Sequence, residues 1–203
     1  MKIYHVAKTG RDSAPGSREE PFLTIGQAAK AAMPGDTVVV HKGVYREWVK
    51  PQNGGLNDNM RITYEAAPGE AVLITGAERI TTWEKVSSGV WKAVLPNAFF
   101  GDYNPYAETL YGDWLVNPTD GSVHLGDVYL NGISFFEAKS LEEVFDPQIR
   151  QIGFPPPWSK NTEYIRSPQQ SLYQWFATVD EQNTTLYANF HEADPNREVA
   201  EIN

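Results

Sequence analysis

Short apolar runs, each closed by a glycine or proline corner, recur along the first 80 residues, and that recurrence restricts the fold more than any other feature. "TVVV" at 37–40 is followed by "RITYEA" at 61–66, which begins 24 residues after Thr37. "AVLITG" at 71–76 comes next, with Pro68-Gly69 between the last two runs. Strands this short, at a period of roughly 20–25 residues, predict stacked solenoid coils rather than one wide sheet. The continuous run Val38–Val40 suits a strand buried on both faces, as in a parallel sheet. Upstream, "TIGQAAKAA" sets Thr24 and Gln27 at capping-box spacing and puts Ile25, Ala28, Ala29 and Ala32 on one helical face. A short amphipathic helix of this kind can cover the open end of a solenoid.

After Gly76 the pattern becomes that of antiparallel hairpins. "TTWEKVSSGVWKAVLP" reads as two strands about a Ser-Ser-Gly turn. In "GDVYLNGISFFEA", Asn131-Gly132 is a favoured type I′ pair between the alternating Val128, Leu130 and Ile133, Phe135. "SLEEVF" predicts a helix of one or two turns, with Ser140 and Glu143 as a second capping box. "FPPPW" at 154–158 reads as an extended loop. "LYQWFATVDEQNTTLYANF" is another hairpin, with Tyr173, Trp175, Ala177 and Val179 on one face. The last residues, "DPNREVAEIN", end on an alternating strand pattern. These readings divide the chain into a cap with the first solenoid coils over 1–79, an inserted antiparallel β-sandwich over 80–195, and a strand at 196–203 that returns to the solenoid. The sequence is expected to stop there before the fold is complete, leaving a strand edge exposed.

With 26 acidic against 17 basic residues, the net charge is −9, and no basic cluster interrupts it. Phosphate backbones and anionic membranes both need concentrated Lys and Arg, so neither is expected as a partner. A neutral sugar is compatible. Cysteine is absent, which excludes disulfides and thiolate chemistry. "MKIYHVAKTG" lacks the apolar core of a signal peptide, and no segment has membrane-spanning length, so the cytoplasm is the expected compartment. His5, His41, His124 and His191 lack metal-ligand spacing, so no metal is expected. His41, just past a buried strand, reads as a satisfied core or corner residue.

The stretch "FFGDYNPYAETLYGDWL", Phe99 to Leu115, repeats itself: Phe100-Gly101-Asp102-Tyr103 returns as Tyr111-Gly112-Asp113-Trp114. Aromatic rings beside carboxylates are what a sugar-handling site needs. Retaining glycosidases hold two carboxyl groups roughly 5–5.5 Å apart and inverting ones roughly 6.5–9.5 Å apart. Asp102 and Asp113 meet either condition only if the loop folds back on itself, and a Gly-Asp context reads as a turn. No catalytic residue is therefore assigned within this chain. Trp114, Asp113, Tyr103 and Asp102 are the substrate-binding candidates, through ring stacking and hydroxyl hydrogen bonds, with Trp114 the best of them. Phe99 and Phe100 read as packing residues. Glu47 and Trp48, just after the first coil, are lesser candidates for the same groove.

The segment "YHVAKTGRDSAPGSREEPFLTIGQAAKAAMPGDTVVVHKGVYRE" resembles the opening of right-handed parallel β-helix proteins. The further stretches "WVKPQNGGLNDNMRITYEAAPGE", "NAFFGDYNPY", "YGDWL", "HLGDVYLNG" and "LEEVFDP" together resemble glycoside hydrolase family 120 across essentially the whole chain. That resemblance implies a mainly β fold: the start of a right-handed parallel β-helix with an N-terminal capping helix, plus an inserted antiparallel β-sandwich. It implies a retaining β-xylosidase acting on xylo-oligosaccharides without a cofactor, with its two catalytic carboxylates beyond Asn203. It leaves room for a homo-oligomer formed through the full-length protein. Two alternatives stay open: a non-catalytic carbohydrate-binding or assembly module, and another β-helix carbohydrate-active enzyme such as a polysaccharide lyase. The −9 charge disfavours the lyase, whose acidic substrate calls for basic residues or calcium.

Overall fold

The computed structural model describes residues 1–110, 123–153 and 160–203. They form two compact units, Met1–Ala77 and Glu78–Asn203. No helix among the described residues is long and apolar enough to cross a membrane.

The first unit contains β1 (Ile3–Val6), α1 (Ile25–Ala31), β2 (Thr37–Val40), β3 (Gly43–Arg46), β4 (Thr63–Ala66) and β5 (Val72–Thr75). Strands β1, β2 and β4 form one parallel sheet in which Val6 lies beside Val40 and Val40 beside Ala66. β3 and β5 pair in parallel in a second sheet, Gly43 beside Val72. The short runs therefore stack on one another, as their recurrence predicts. Burial along β2 alternates: Val38 and Val40 are buried while Val39 is half-buried. One face of that strand thus carries most of the packing, where the apolar run had suggested both.

Helix α1 starts where the sequence places it. Thr24 is its N-cap, its hydroxyl accepting the Gln27 N–H at 3.1 Å. The small residues Ala28 and Ala32 let the helix lie close against Val6, Val38, Val40 and Tyr45, and Ile25 and Phe22 fill the same core. After the helix, Gly35 adopts a φ of 89° in the turn that launches β2. Asp36 ties that turn together, accepting the backbone N–H groups of Lys2 at 2.7 Å and Met33 at 3.0 Å. Those two hydrogen bonds hold its carboxyl below the usual range.

The second unit comprises β6 (Glu78–Arg79), β7 (Glu84–Lys85), β8 (Val90–Pro96), β9 (Val128–Leu130), β10 (Ile133–Ser134), β11 (Phe136–Glu137), α2 (Leu141–Phe145), β12 (Gln174–Val179), β13 (Asn183–Asn189) and β14 (Ala200–Ile202). One sheet has the order β10-β9-β14-β6 and the other β11-β12-β13-β8-β7. Both contribute to a single core: Ile80, Val128, Leu130, Ala200 and Ile202 come from the first sheet and its flank, and Ala93, Leu95, Trp175, Leu186 and Ala188 from the second. Among the described residues its strand pairings are antiparallel except β11 with β12, which is parallel. The Asn131-Gly132 turn joins β9 to β10 with both residues at positive φ, 52° and 78°, as the alternating pattern around it predicts. In α2 the expected capping box is replaced by a different bond: the Ser140 side chain makes no cap bond, and Glu143 accepts the N–H of Lys139, one residue before the N-cap, at 3.0 Å.

The tail corrects the expected domain division. Residues 196–203 do not return to the first unit. β14 lies between β9 and β6, antiparallel to both, in the interior of its sheet rather than at an edge. The physical reason is burial. Ala200 and Ile202 are buried in the core between the two sheets, and Ile80 donates its N–H to Ala200 O at 3.0 Å. Asn196 clamps the approach by bonding both the N–H and the C=O of Trp83, at 2.9 and 2.8 Å. The same sheet takes in β6, so the second unit runs over 78–203 where 80–195 had been expected.

Candidate functional site

The first copy of the Gly-Asp-aromatic stretch follows the end of β8. A 3₁₀ turn over Asn97–Phe100 leads to Gly101, whose φ is 65°. The turn is anchored by a file of rings running inward. Phe99 meets Phe100 at 5.2 Å between centroids, Phe100 meets Tyr106 at 5.7 Å, and Tyr106 meets Trp175 at 5.4 Å, each edge to face. Phe100 is half-buried against the core, as a packing residue should be. Phe99 instead leaves 45% of its surface exposed, so the packing role expected of it is only partly filled.

Tyr106 is the pivot of this arm. Its hydroxyl donates to Asp127 O at 2.6 Å, its N–H donates to Asn104 Oδ1, and its ring leaves no room for a side chain at Gly126. Burial pushes its phenol well above the ordinary tyrosine value. The hydroxyl therefore serves as a fixed structural donor and not as an acid.

Asp102 and Tyr103 sit on the turn just past this anchor, both exposed, Tyr103 by 54%. A glycosidase's general acid is kept protonated by an apolar surround. An exposed turn carboxylate has none, which agrees with reading Asp102 as a turn residue. Asp113 and Trp114, the other two candidates, lie outside the described residues, as does "FPPPW". A third Gly-Asp pair, Gly126-Asp127, shows what such a carboxylate does in this unit. Asp127 accepts the Val128 N–H at 2.8 Å and the Ser134 hydroxyl at 2.6 Å, which pins the start of β9 to β10.

The segment beyond Tyr106 is rooted firmly. Thr109 and His124 form an antiparallel bridge, and Leu110 donates to Val123 O at 2.7 Å. Glu137 on β11 grips His124 twice: one oxygen bonds ring Nδ1, and the other accepts the backbone N–H at 2.9 Å. Both side chains are mostly buried. Spacing arguments pass over this pair, because 13 residues and a sheet crossing separate its members. No group of three or more metal-ligating side chains occurs among the described residues.

Glu47 and Trp48 do not act together. The Glu47 carboxylate accepts the N–H groups of Ile25 at 3.0 Å and Gly26 at 2.7 Å, adding a second cap to α1. Trp48 projects into solvent with 84% of its surface exposed.

Residues 80–202 match the insertion domain of glycoside hydrolase 120, and residues 8–52 match a family of proteins of unknown function, DUF1565. The chain belongs to glycoside hydrolase family 120. It is 53% identical to XylC, solved in complex with xylose, over 99% of its length, with a TM-score of 0.93. A stretch of 72 residues is 33% identical to the uncharacterized protein YwoF of Bacillus subtilis (strain 168), covering 36% of this chain and 15% of that protein. The chain spans 31% of the length of XylC. The family 120 insertion domain falls within the second unit and includes β14, consistent with the boundary drawn from strand pairing.

Proposed function

We propose that this family 120 chain is part of a β-xylosidase acting on short xylo-oligosaccharides, and that the nucleophile and acid/base carboxylates lie outside these 203 residues. The observation that carries the reading is the 53% identity, over nearly the whole chain, to XylC, a protein that binds xylose. In the retaining reaction a carboxylate attacks the anomeric carbon while a carboxylic acid protonates the departing oxygen. Water then releases the sugar, with the second group acting as base. No cofactor takes part.

In this reading the first unit is the start of a right-handed parallel β-helix, α1 covers its end, and the second unit is a sandwich inserted after the first coils. Leu73 and Ile74 on β5 are more than half exposed, and β4 and β5 are edge strands. An apolar groove of about 460 Å³, lined by Val40, Val49, Tyr64, Val72 and Ile74, lies at the same place. The next coil would cover this surface. Trp114, Asp113, Tyr103 and Asp102 would contact sugar at the mouth of the site, stacking on the ring and accepting its hydroxyls. The reading leaves room for a homo-oligomer formed through the full-length protein and keeps the cytoplasm as its compartment.

The test is the substrate range of the longer gene product. It should release xylose from xylobiose and aryl β-xylosides, with the first-formed product retaining the β configuration by proton NMR. Cleavage with inversion, or activity confined to other sugars, would overturn the reading.

A further inference from the structure

Three side chains on successive coils of the first unit form a file that the proposed hydrolysis does not use. His5 lies on β1, His41 follows β2, and Glu70 stands in the turn after β4. His5 Nδ1 is 3.0 Å from His41 Nε2, and His41 Nδ1 is 3.0 Å from Glu70 Oε1. The other oxygen of Glu70 accepts the Lys42 N–H at 2.6 Å. The main chain holds the rings in place. His5 exchanges backbone bonds with Gly16 and Phe22, His41 donates its N–H to Val6 O, and the Tyr45 hydroxyl donates to His41 O at 2.8 Å.

Counting hydrogens sets a limit on this file. Glu70 accepts the hydrogen on His41 Nδ1, which leaves a single hydrogen for the contact between His41 Nε2 and His5 Nδ1. With both rings neutral, His5 supplies it; with one excess proton, whichever ring is charged supplies it. With two excess protons each facing nitrogen carries a hydrogen, and the contact cannot survive. We propose that the His5–His41–Glu70 relay stores one proton and no more, so that a second proton breaks it and loosens β1 from the loop and strand it binds.

The charged groups around the relay favour that limit. Lys8 at the end of β1, Arg18 and Glu19 on the following loop, and Lys42 beside His41 line one cleft of about 480 Å³ together with His41 and Glu70. Lys8 also sits over the Tyr45 ring of β3. Burial, then the charge of His41, then Arg18 lower the His5 pKa, and Glu19 opposes them. Because the folded value lies below the unfolded one, the unfolded chain binds the extra proton first. Stability is therefore full above the ordinary histidine pKa and is lost as pH falls through the lowered folded value.

The experiment is a titration of the histidine ring nitrogens by NMR on the whole 203-residue chain from pH 8 to 4, with His5→Asn to assign the signals. The His5 ring should take up its extra proton below the ordinary histidine range, and that second step should coincide with loss of the contact to His41 Nε2. Across that second step the amide protection of His41, whose N–H bonds Val6 O, should fall by up to about tenfold per pH unit. His5→Asn should abolish both the second step and the loss of protection. Independent single-proton curves for the two rings, or protection unchanged through the second step, would overturn the proposal. If His5→Asn does not fold, the wild-type titration still separates these outcomes.

Discussion

Glu137 holds His124 by ring and backbone at once, and that histidine is also bridged to Thr109. Removing the carboxylate leaves two mostly buried donors without their acceptor. Glu137→Ala should therefore cost about 1–3 kcal/mol, read from the shift of the urea midpoint at constant slope. Trp175 is buried at the inner end of the aromatic file, so Trp175→Ala should cost about 3–5 kcal/mol in the same assay. On its proposed role, Trp114→Ala should weaken xylose binding by the longer protein. Asp102 was legible as a turn residue because glycine beside aspartate is a local signal. The His124–Glu137 pair was not legible, because a β-bridge and a strand pairing bring its two halves together.

At the level of elements, starts and turns were written locally and partners were not. Thr24 announced α1, but the second cap comes from Glu47, 21 residues after Gly26, and depends on the coil returning to the helix. Glu47→Ala should strip the Ile25 and Gly26 N–H groups of their acceptor and destabilise the first unit by about 0.5–2 kcal/mol. Asn131-Gly132 was legible as a turn to the residue. With Gly132 at a φ of 78°, Gly132→Ala should cost on the order of 1 kcal/mol, while Gly132→Asn should cost less. The alternation at Val199–Ile202 correctly marked a strand, yet alternation only states that one face is buried. It does not say against which sheet, and the open core between β9 and β6 was the stronger claimant.

Across the whole molecule, carboxylates fastened by N–H donors set the response to acid. Asp36 is held by Lys2 and Met33, Glu70 by Lys42 and His41, and Asp180 by Gln182 and Asn183, and each has its pKa lowered by those bonds. The unfolded chain protonates these groups first. The share of stability that these three carboxylates supply should thus be full above the ordinary carboxylate range and fall as pH drops below about 4, which a series of melting temperatures from pH 6 to 3 would record. Asp36→Asn should flatten part of that descent. At this scale, too, lies the proposal that these residues shape a xyloside-cleaving enzyme without holding its reacting groups. The most direct measurement is chromophore release from an aryl β-xyloside by the 203-residue chain, set beside the longer gene product at equal concentration. Turnover is expected from the longer protein alone, with none above background from the 203 residues. Turnover by the short chain that disappears in Asp102→Asn or Asp113→Asn would contradict this and make those two aspartates the catalytic pair.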